Sequence, residues 1–235
     1  AAIGEVTPPQ PGKIDVDPDE WKVRARKAIV ITHGWRSNGD AWPRELAGLI
    51  CSKLTNSVYL GTSISDGLKK NCQTGDLDWD IWVMDWRTKA ETRPPWQAHA
   101  NAVPLGEALG DMFKSAGYES VHFIAHSAGA NLIHNAIRSL KFGALGEGRP
   151  VPTILATFLD AYDPGGSASE YGSNADWADN YVDTRDVADL FFGFDGTKLI
   201  LQNAYNVNVT PFVRKPDNCA SFANPLDIWR CRHSR

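Results

Sequence analysis

A chain of 235 residues, 43% hydrophobic and 22% charged, is long enough to bury its own core and needs no metal or disulfide framework merely to fold. Its formal net charge of −4, with no long basic run, argues against nucleic acid as the main partner. No apolar run approaches the roughly 18–20 residues of a membrane-spanning helix, so no transmembrane segment is expected.

The first residues, "AAIGEVTPPQPGKIDVDPDEW", are polar and proline-rich and lack the charged start and apolar stretch of a signal peptide. Residues 1–26 are therefore expected to form an extended segment. "KAIVITHGW" (27–35) reads as a buried strand ending in a turn, and "AWPRELAGLICSKL" (41–54) has helical spacing. "WDIWVMDW" (79–86) is a second buried strand. Residues 96–117 read as a helix, with Pro104 kinking it or delaying its start and Gly117 stopping it. "VHFIAH" (121–126) is a third strand, "AGANLIHNAIRSLKF" (128–142) its helix, and "PTILATFL" (152–159) a fourth strand. Unbroken Val/Ile/Leu/Phe runs suit strands covered on both faces, so the alternation predicts one α/β domain over 1–235 with a mostly parallel sheet flanked by helices. Beyond residue 160 the pattern loosens. "GGSASEYGSNADWADN" (165–180) reads as a long surface loop, and "KLILQNAYNVNV" (198–209) as one more strand. The acidic stretch 176–195 lacks calcium-loop spacing and is read as a solvated face; no metal or cofactor is expected.

Cys51, Cys72, Cys219 and Cys231 show no C-x-x-C and no zinc spacing. Four cysteines permit three pairings, of which the local one, Cys51 with Cys72 and Cys219 with Cys231, is the simplest. Cys51 and Cys72 flank a polar stretch rather than sit in apolar strands, which favours disulfides over buried thiols and hence an oxidising, extracellular compartment.

The chemistry concentrates at "VHFIAHSAGANLIH" (121–134), where a strand runs into Ser127 and a helix follows at once. This is nearly the G-x-S-x-G elbow that exposes a nucleophilic serine, with Ala125 in place of the first glycine and Gly129 in place of the second. Small residues are needed there because strand and helix approach closely; the Ala125 methyl makes the turn tighter but feasible. A serine hydroxyl also needs a base, an acid to orient the base, and donors for the developing oxyanion.

"VMDWRTKA", "QAHANAVPLGEAL" and "VHFIAHSAGAN", in that order, resemble the α/β-hydrolases of the pancreatic and lipoprotein lipase family and its phospholipase A1 relatives. The resemblance is close from about residue 29 to 137. Further on, "TFLDAYDP" looks like the family's G-L-D-P-A segment, "ADWADNYVD" is similar to its D-A-x-F-V-D, and "CRHSR" to its C-x-H-x-R. The departures are Ala125, a longer stretch between serine and acid, Asp160-Ala161 for D-P, and a weak match around 195–230. The resemblance implies an α/β-hydrolase fold and hydrolysis of carboxylic esters, with an ester or lipid substrate and peripheral contact with lipid surfaces. Other acyl bonds, amide or thioester, and a catalytically silent lipid-binding protein are the alternatives.

In such folds the loop after the first buried strand supplies one oxyanion N–H and the residue after the nucleophile the other; here these are Trp35, in "ITHGW", and Ala128. Asp160 immediately follows a buried strand and falls on the family's aspartate, whereas Asp163 precedes Pro164-Gly165 and reads as a turn-starting aspartate. The order serine, acid, histidine leaves only His233, which also matches the family motif; His33, His99, His122, His126 and His134 all precede Asp160 and are read as structural. Trp35, Trp86 and Trp229 are candidates to line an apolar site, with core packing favoured for Trp86.

A Cys219–Cys231 bridge would anchor the segment carrying His233, and in the resembled family a disulfide closing just before that histidine defines the lid. Here it would enclose only "ASFANPLDIWR", 11 residues, too short to cover a deep acyl pocket. No β-sandwich of the larger lipases is expected. The expected kinetic result is no interfacial activation: with a sparingly soluble ester, the rate should pass through the solubility limit without a jump.

Overall fold

The computed structural model describes residues 14–16, 25–54, 57–60, 66–74, 78–164, 167–184 and 199–212. Among them eight strands form one sheet: β1 (Lys27–Thr32), β2 (Ser57–Tyr59), β3 (Gly67–Thr74), β4 (Trp79–Asp85), β5 (Ser120–His126), β6 (Thr153–Leu159), β7 (Trp177–Val182) and β8 (Tyr205–Asn208). The spatial order is β2-β3-β4-β1-β5-β6-β7-β8. The β2–β3 and β3–β4 pairs are antiparallel; every other pair is parallel. The helices are α1 (Trp42–Cys51), α2 (Arg87–Ala90), α3 (Pro95–Ala116) and α4 (Gly129–Gly146). The α/β architecture with a mostly parallel sheet is the one the hydrophobic pattern predicts.

The apolar runs divide residue by residue between the two sheet faces. Ala28 and Val30 of β1, Trp82 and Met84 of β4, and Val121, Phe123 and Ala125 of β5 join the main cluster with Leu105, Leu109 and Phe113 of α3 and Leu132, Ile133 and Ala136 of α4. Ile29, Ile31, Ile81, Val83 and Ile124, the alternate positions, pack on the other face with Ala47 and Cys51 of α1. Full burial of each large aliphatic or aromatic side chain stabilises the fold by about 1.5–3 kcal/mol.

Helix α3 begins with Pro95 in its first turn and ends at Gly117, in the left-handed region at φ 74°. Pro104 neither delays nor ends it. An internal proline costs about 3 kcal/mol; burial of Leu105, Leu109 and Phe113 just beyond it offsets that cost. Helices α3 and α4 cross closely because Gly106 and Gly110 carry no side chain. A Cβ on either would lie 2.3 Å from a carbonyl oxygen of α4, that of Leu132 or Ala136.

Three segments depart from the sequence reading. Residues 177–180, expected at the end of a loop, belong to β7, whose Ala178, Asn180 and Val182 face inward. Asp, Asn and Ala are poor strand formers, and the strand forms because β6 and β8 pair it on both sides. Within 198–209 only Tyr205–Asn208 is strand. Asn206 turns its amide back onto the Leu201 and Ala204 carbonyls, which ends the extended run. The polar stretch after α1 contains β2 and β3, the antiparallel end of the sheet. The extended N-terminal segment is described only in part; Val16 bridges Leu68 in parallel, and the Leu68 N–H donates to the Asp15 carbonyl.

Cys51, at the end of α1, is bonded to Cys72 in β3, 21 positions further along the chain, with Cα atoms 5.9 Å apart. The bridge holds α1 to the antiparallel end of the sheet. Cys219 and Cys231 lie outside the described residues. A loop of this length restricts the unfolded chain by about 3 kcal/mol. The Cys51→Ala/Cys72→Ala double variant is expected to lose about that much stability in urea titration, and intact protein should gain mass on reduction and alkylation.

Candidate active site

The parallel register places the exits of β1, β5 and β6 side by side. Thr32 pairs with Ala125, and Ala125 with Phe158. The chain leaves β5 and β6 directly through a left-handed residue, and the loop after β1 contains a third. Arg36 (φ 50°), Ser127 (φ 54°) and Asp160 (φ 48°) are the non-glycine residues of positive φ among the described chain. L-residues adopt this conformation at a cost of order 1–3 kcal/mol, and it gathers at functional sites.

Ser127 follows β5 and precedes α4, at the elbow expected from the sequence. Its N–H donates to the Leu159 carbonyl at 3.1 Å, and its own carbonyl accepts from Tyr162 N–H at 3.2 Å and Ala130 N–H at 2.9 Å. The two bonds to the β6 exit fall on either side of Asp160, so the segments carrying Ser127 and Asp160 are fixed to each other. The Asp160 N–H in turn donates to the Tyr181 carbonyl of β7 at 2.7 Å. Ser127 is 1% exposed, and its Oγ makes no hydrogen bond among the described residues. A buried hydroxyl left unpaired costs about 1–3 kcal/mol, which stable proteins rarely retain without use.

The elbow is packed by missing side chains. A Cβ on Gly34 would lie 2.6 Å from the Ser127 Cβ and 3.1 Å from its Oγ. A Cβ on Gly129 would lie 2.5 Å from the His33 carbonyl oxygen. Ala125, the residue that departs from the motif, is fully buried and its methyl joins the main core cluster. The "HGW" loop and the serine turn are thus in direct contact. Ala128 is the N-cap of α4 and provides no side-chain cap; the first N–H groups of a helix have no intrahelical partner and attract negative charge. Trp35 is 4% exposed, and its indole N–H donates to the Thr92 carbonyl at 2.9 Å. Its ring is therefore packed structure, and Trp86 is buried as expected.

Asp163, read from the sequence as a turn-starting aspartate, has partners on both of its carboxylate oxygens. Its Oδ2 accepts the Ala168 N–H at 2.5 Å, and its Oδ1 lies 3.5 Å from His99 Nε2 on α3. His99 Nε2 is also 3.1 Å from the Tyr171 hydroxyl. His122 Nε2 lies 2.8 Å from Thr157 Oγ1, His134 Nε2 3.7 Å from Glu170 Oε2, and the His126 ring stands edge-on to Trp42. Asp176, in the stretch read as a solvated acidic face, instead accepts the Ile154 N–H at 2.7 Å. His233 and Trp229 lie outside the described residues. The structure thus brings together the segments of Ser127, Asp160 and Ala128 and the loop carrying Trp35.

Sequence reasoning passed over Asp85, the last residue of β4. It is fully buried beside His33. Its Oδ1 lies 3.0 Å from His33 Nε2 and accepts the Arg87 N–H at 2.9 Å; its Oδ2 accepts the Gly39 N–H at 2.9 Å and the Arg87 guanidinium. The same guanidinium reaches Asp40 at 2.9 Å. Burial pushes the Asp85 carboxyl up, but hydrogen bonds from His33 and Arg87 overcome it and hold the group below the usual carboxylate range. The signal was legible in "MDWR", an acid closing an apolar strand with an arginine two residues on. A scan of the sequence against protein-family models and a search of curated proteins matched nothing.

Three histidines, His134 buried and His99 and His122 partly buried, set a pH dependence of stability. Burial lowers the pKa of His99, His122 and His134; Asp163 opposes it for His99 and Asp179 for His122, while Arg138 reinforces it for His134. In the unfolded chain each returns to about 6.5. The unfolded state therefore binds more protons below that pH, and stability rises with pH through this range. The urea midpoint is expected to be lower at about pH 5.5 than at about pH 7.5, with a smaller difference in His122→Gln.

Proposed function

We propose that this protein is an extracellular serine hydrolase of the α/β-hydrolase fold that cleaves carboxylic esters, of lipids or of smaller acyl groups. The observation that carries the reading is the pair of left-handed residues Ser127 and Asp160, each immediately after a neighbouring parallel strand and joined through the Ser127 bonds to Leu159 and Tyr162. Ser127 has a buried, unbonded Oγ close to Gly34. The ordered motifs that resemble the lipase family support it, and the Cys51–Cys72 bridge supports an oxidising compartment. No helix among the described residues is long and apolar enough to cross a membrane.

In this mechanism Ser127 Oγ attacks the acyl carbon while His233 takes its proton. Asp160 orients the imidazole and stabilises its charged form. The Trp35 and Ala128 N–H groups bind the oxyanion of the tetrahedral intermediate. His233 then protonates the departing alcohol, and water activated by the same histidine releases the acid and regenerates Ser127.

The test is hydrolysis of short and long p-nitrophenyl esters. Ser127→Ala is expected to lose at least about 10³-fold in kcat; Asp160→Asn should fall by several orders, while Asp163→Asn keeps most of the rate. Equal rates for wild type and Ser127→Ala would overturn the reading, and the acyl-length profile assigns the substrate class.

A further inference from the structure

We propose that Asp85 is a positioning residue for the oxyanion donor, clamping both ends of the loop that carries the Trp35 N–H. The inference rests on the hydrolase reading and adds a residue that touches neither substrate nor nucleophile. One carboxylate bridges the loop: Oδ1 faces His33 at its start and Oδ2 accepts the Gly39 N–H at its end.

The remaining anchors of the loop come from the same stretch of chain. The Trp86 indole N–H donates to the His33 carbonyl at 2.8 Å, and the Trp86 backbone N–H lies 3.1 Å from His33 Nε2. His33 Nδ1 lies 2.9 Å from the Gly34 carbonyl oxygen, and the His33 and Trp86 rings stack. Arg36 N–H donates to the Ala90 carbonyl at 3.2 Å, and Trp35 Nε1 to that of Thr92. The segment after β4 is thus a template on which residues 33–39 are laid, with Asp85 at its root.

Placement here is unusually consequential because nothing cushions it. The Cα of Gly34 is in contact with Ser127, so a shift of the loop by a few tenths of an ångström moves the donor relative to the reacting carbon. Oxyanion stabilisation depends on donors fixed before the reaction begins, and misplacement of that order is costly in rate. A plain structural ion pair would stabilise folding without this consequence, and the two roles separate experimentally.

Asp85→Asn preserves volume and one acceptor but loses the charge and the second acceptor, releasing the Gly39 end or the Arg87 fork. Active sites are counted by end-point labelling with a fluorophosphonate, so that rates refer to folded protein. Expected are a fall in kcat of about 10²-fold with KM within about threefold, and a parallel loss of affinity for a trifluoromethyl ketone that forms the tetrahedral oxyanion. Should Asp85→Asn not fold, Arg87→Gln serves, since the Arg87 side chain is 37% exposed and leaves His33 and Gly39 in place. It is expected to lose about tenfold in kcat, partly recovered in Arg87→Lys, which restores charge without the fork. A lowered melting temperature with unchanged kcat per labelled site and unchanged ketone affinity would overturn the proposal. A wild type that neither hydrolyses esters nor takes the probe at Ser127 overturns the hydrolase reading and the proposal with it; an active wild type with unaffected variants overturns the proposal alone.

Discussion

The contact between Gly34 and Ser127 is the constraint on which the site depends. It joins the exits of two adjacent parallel strands, with no side chain between them. The neighbouring residues are small: Ala125 and Ala128 are fully buried, and Gly129 lies against the His33 carbonyl. The core makes this approach possible, because β1 and β5 are in register and covered on both faces by apolar side chains. A strand pair free to slip would not hold one Cα against one Oγ.

Strand β4 carries a buried acid at each end, and the two do different work. Asp80, at its start, pairs with Lys70 at 3.0 Å and accepts the Tyr118 hydroxyl at 2.8 Å, and that hydroxyl accepts the Trp82 indole N–H. This network ties β3, β4 and the end of α3 on the side of the sheet away from Ser127. Asp85, at its finish, has its partners in the loop beside the serine. Buried charges are costly unless paired and hydrogen-bonded, and both acids satisfy that condition with groups from other elements. Such networks fix a single arrangement, which the site requires.

Much of this was legible in the chain. The apolar runs 27–35, 79–86, 121–126 and 152–159 announced the parallel core, since strands covered on both faces cannot hide their composition. The serine elbow could be read because its demand for small residues is local. Strands β7 and β8 were not legible as they are. Their residues are polar, and they form because neighbouring backbones supply partners and Asn180 and Asn206 bond each other. The antiparallel end was hidden for a similar reason: β3 is Lys- and Asn-bearing, and its Lys70 is buried only because Asp80 faces it.

By itself the sequence determined the fold class, the elbow, and the Ser127 and Asp160 assignments as expectations, because each follows from composition over a few consecutive residues. The tertiary structure decided what depends on distant pieces meeting. It fixed Asp160 beside the serine turn and set Asp163 near His99 of α3; it joined Cys51 to Cys72; and it set Asp85 beside a loop some 50 residues earlier in the chain. No local pattern encodes such pairings. They arise when strands align in register and bring their ends to one edge, and hydrogen bonds between those ends then hold the geometry.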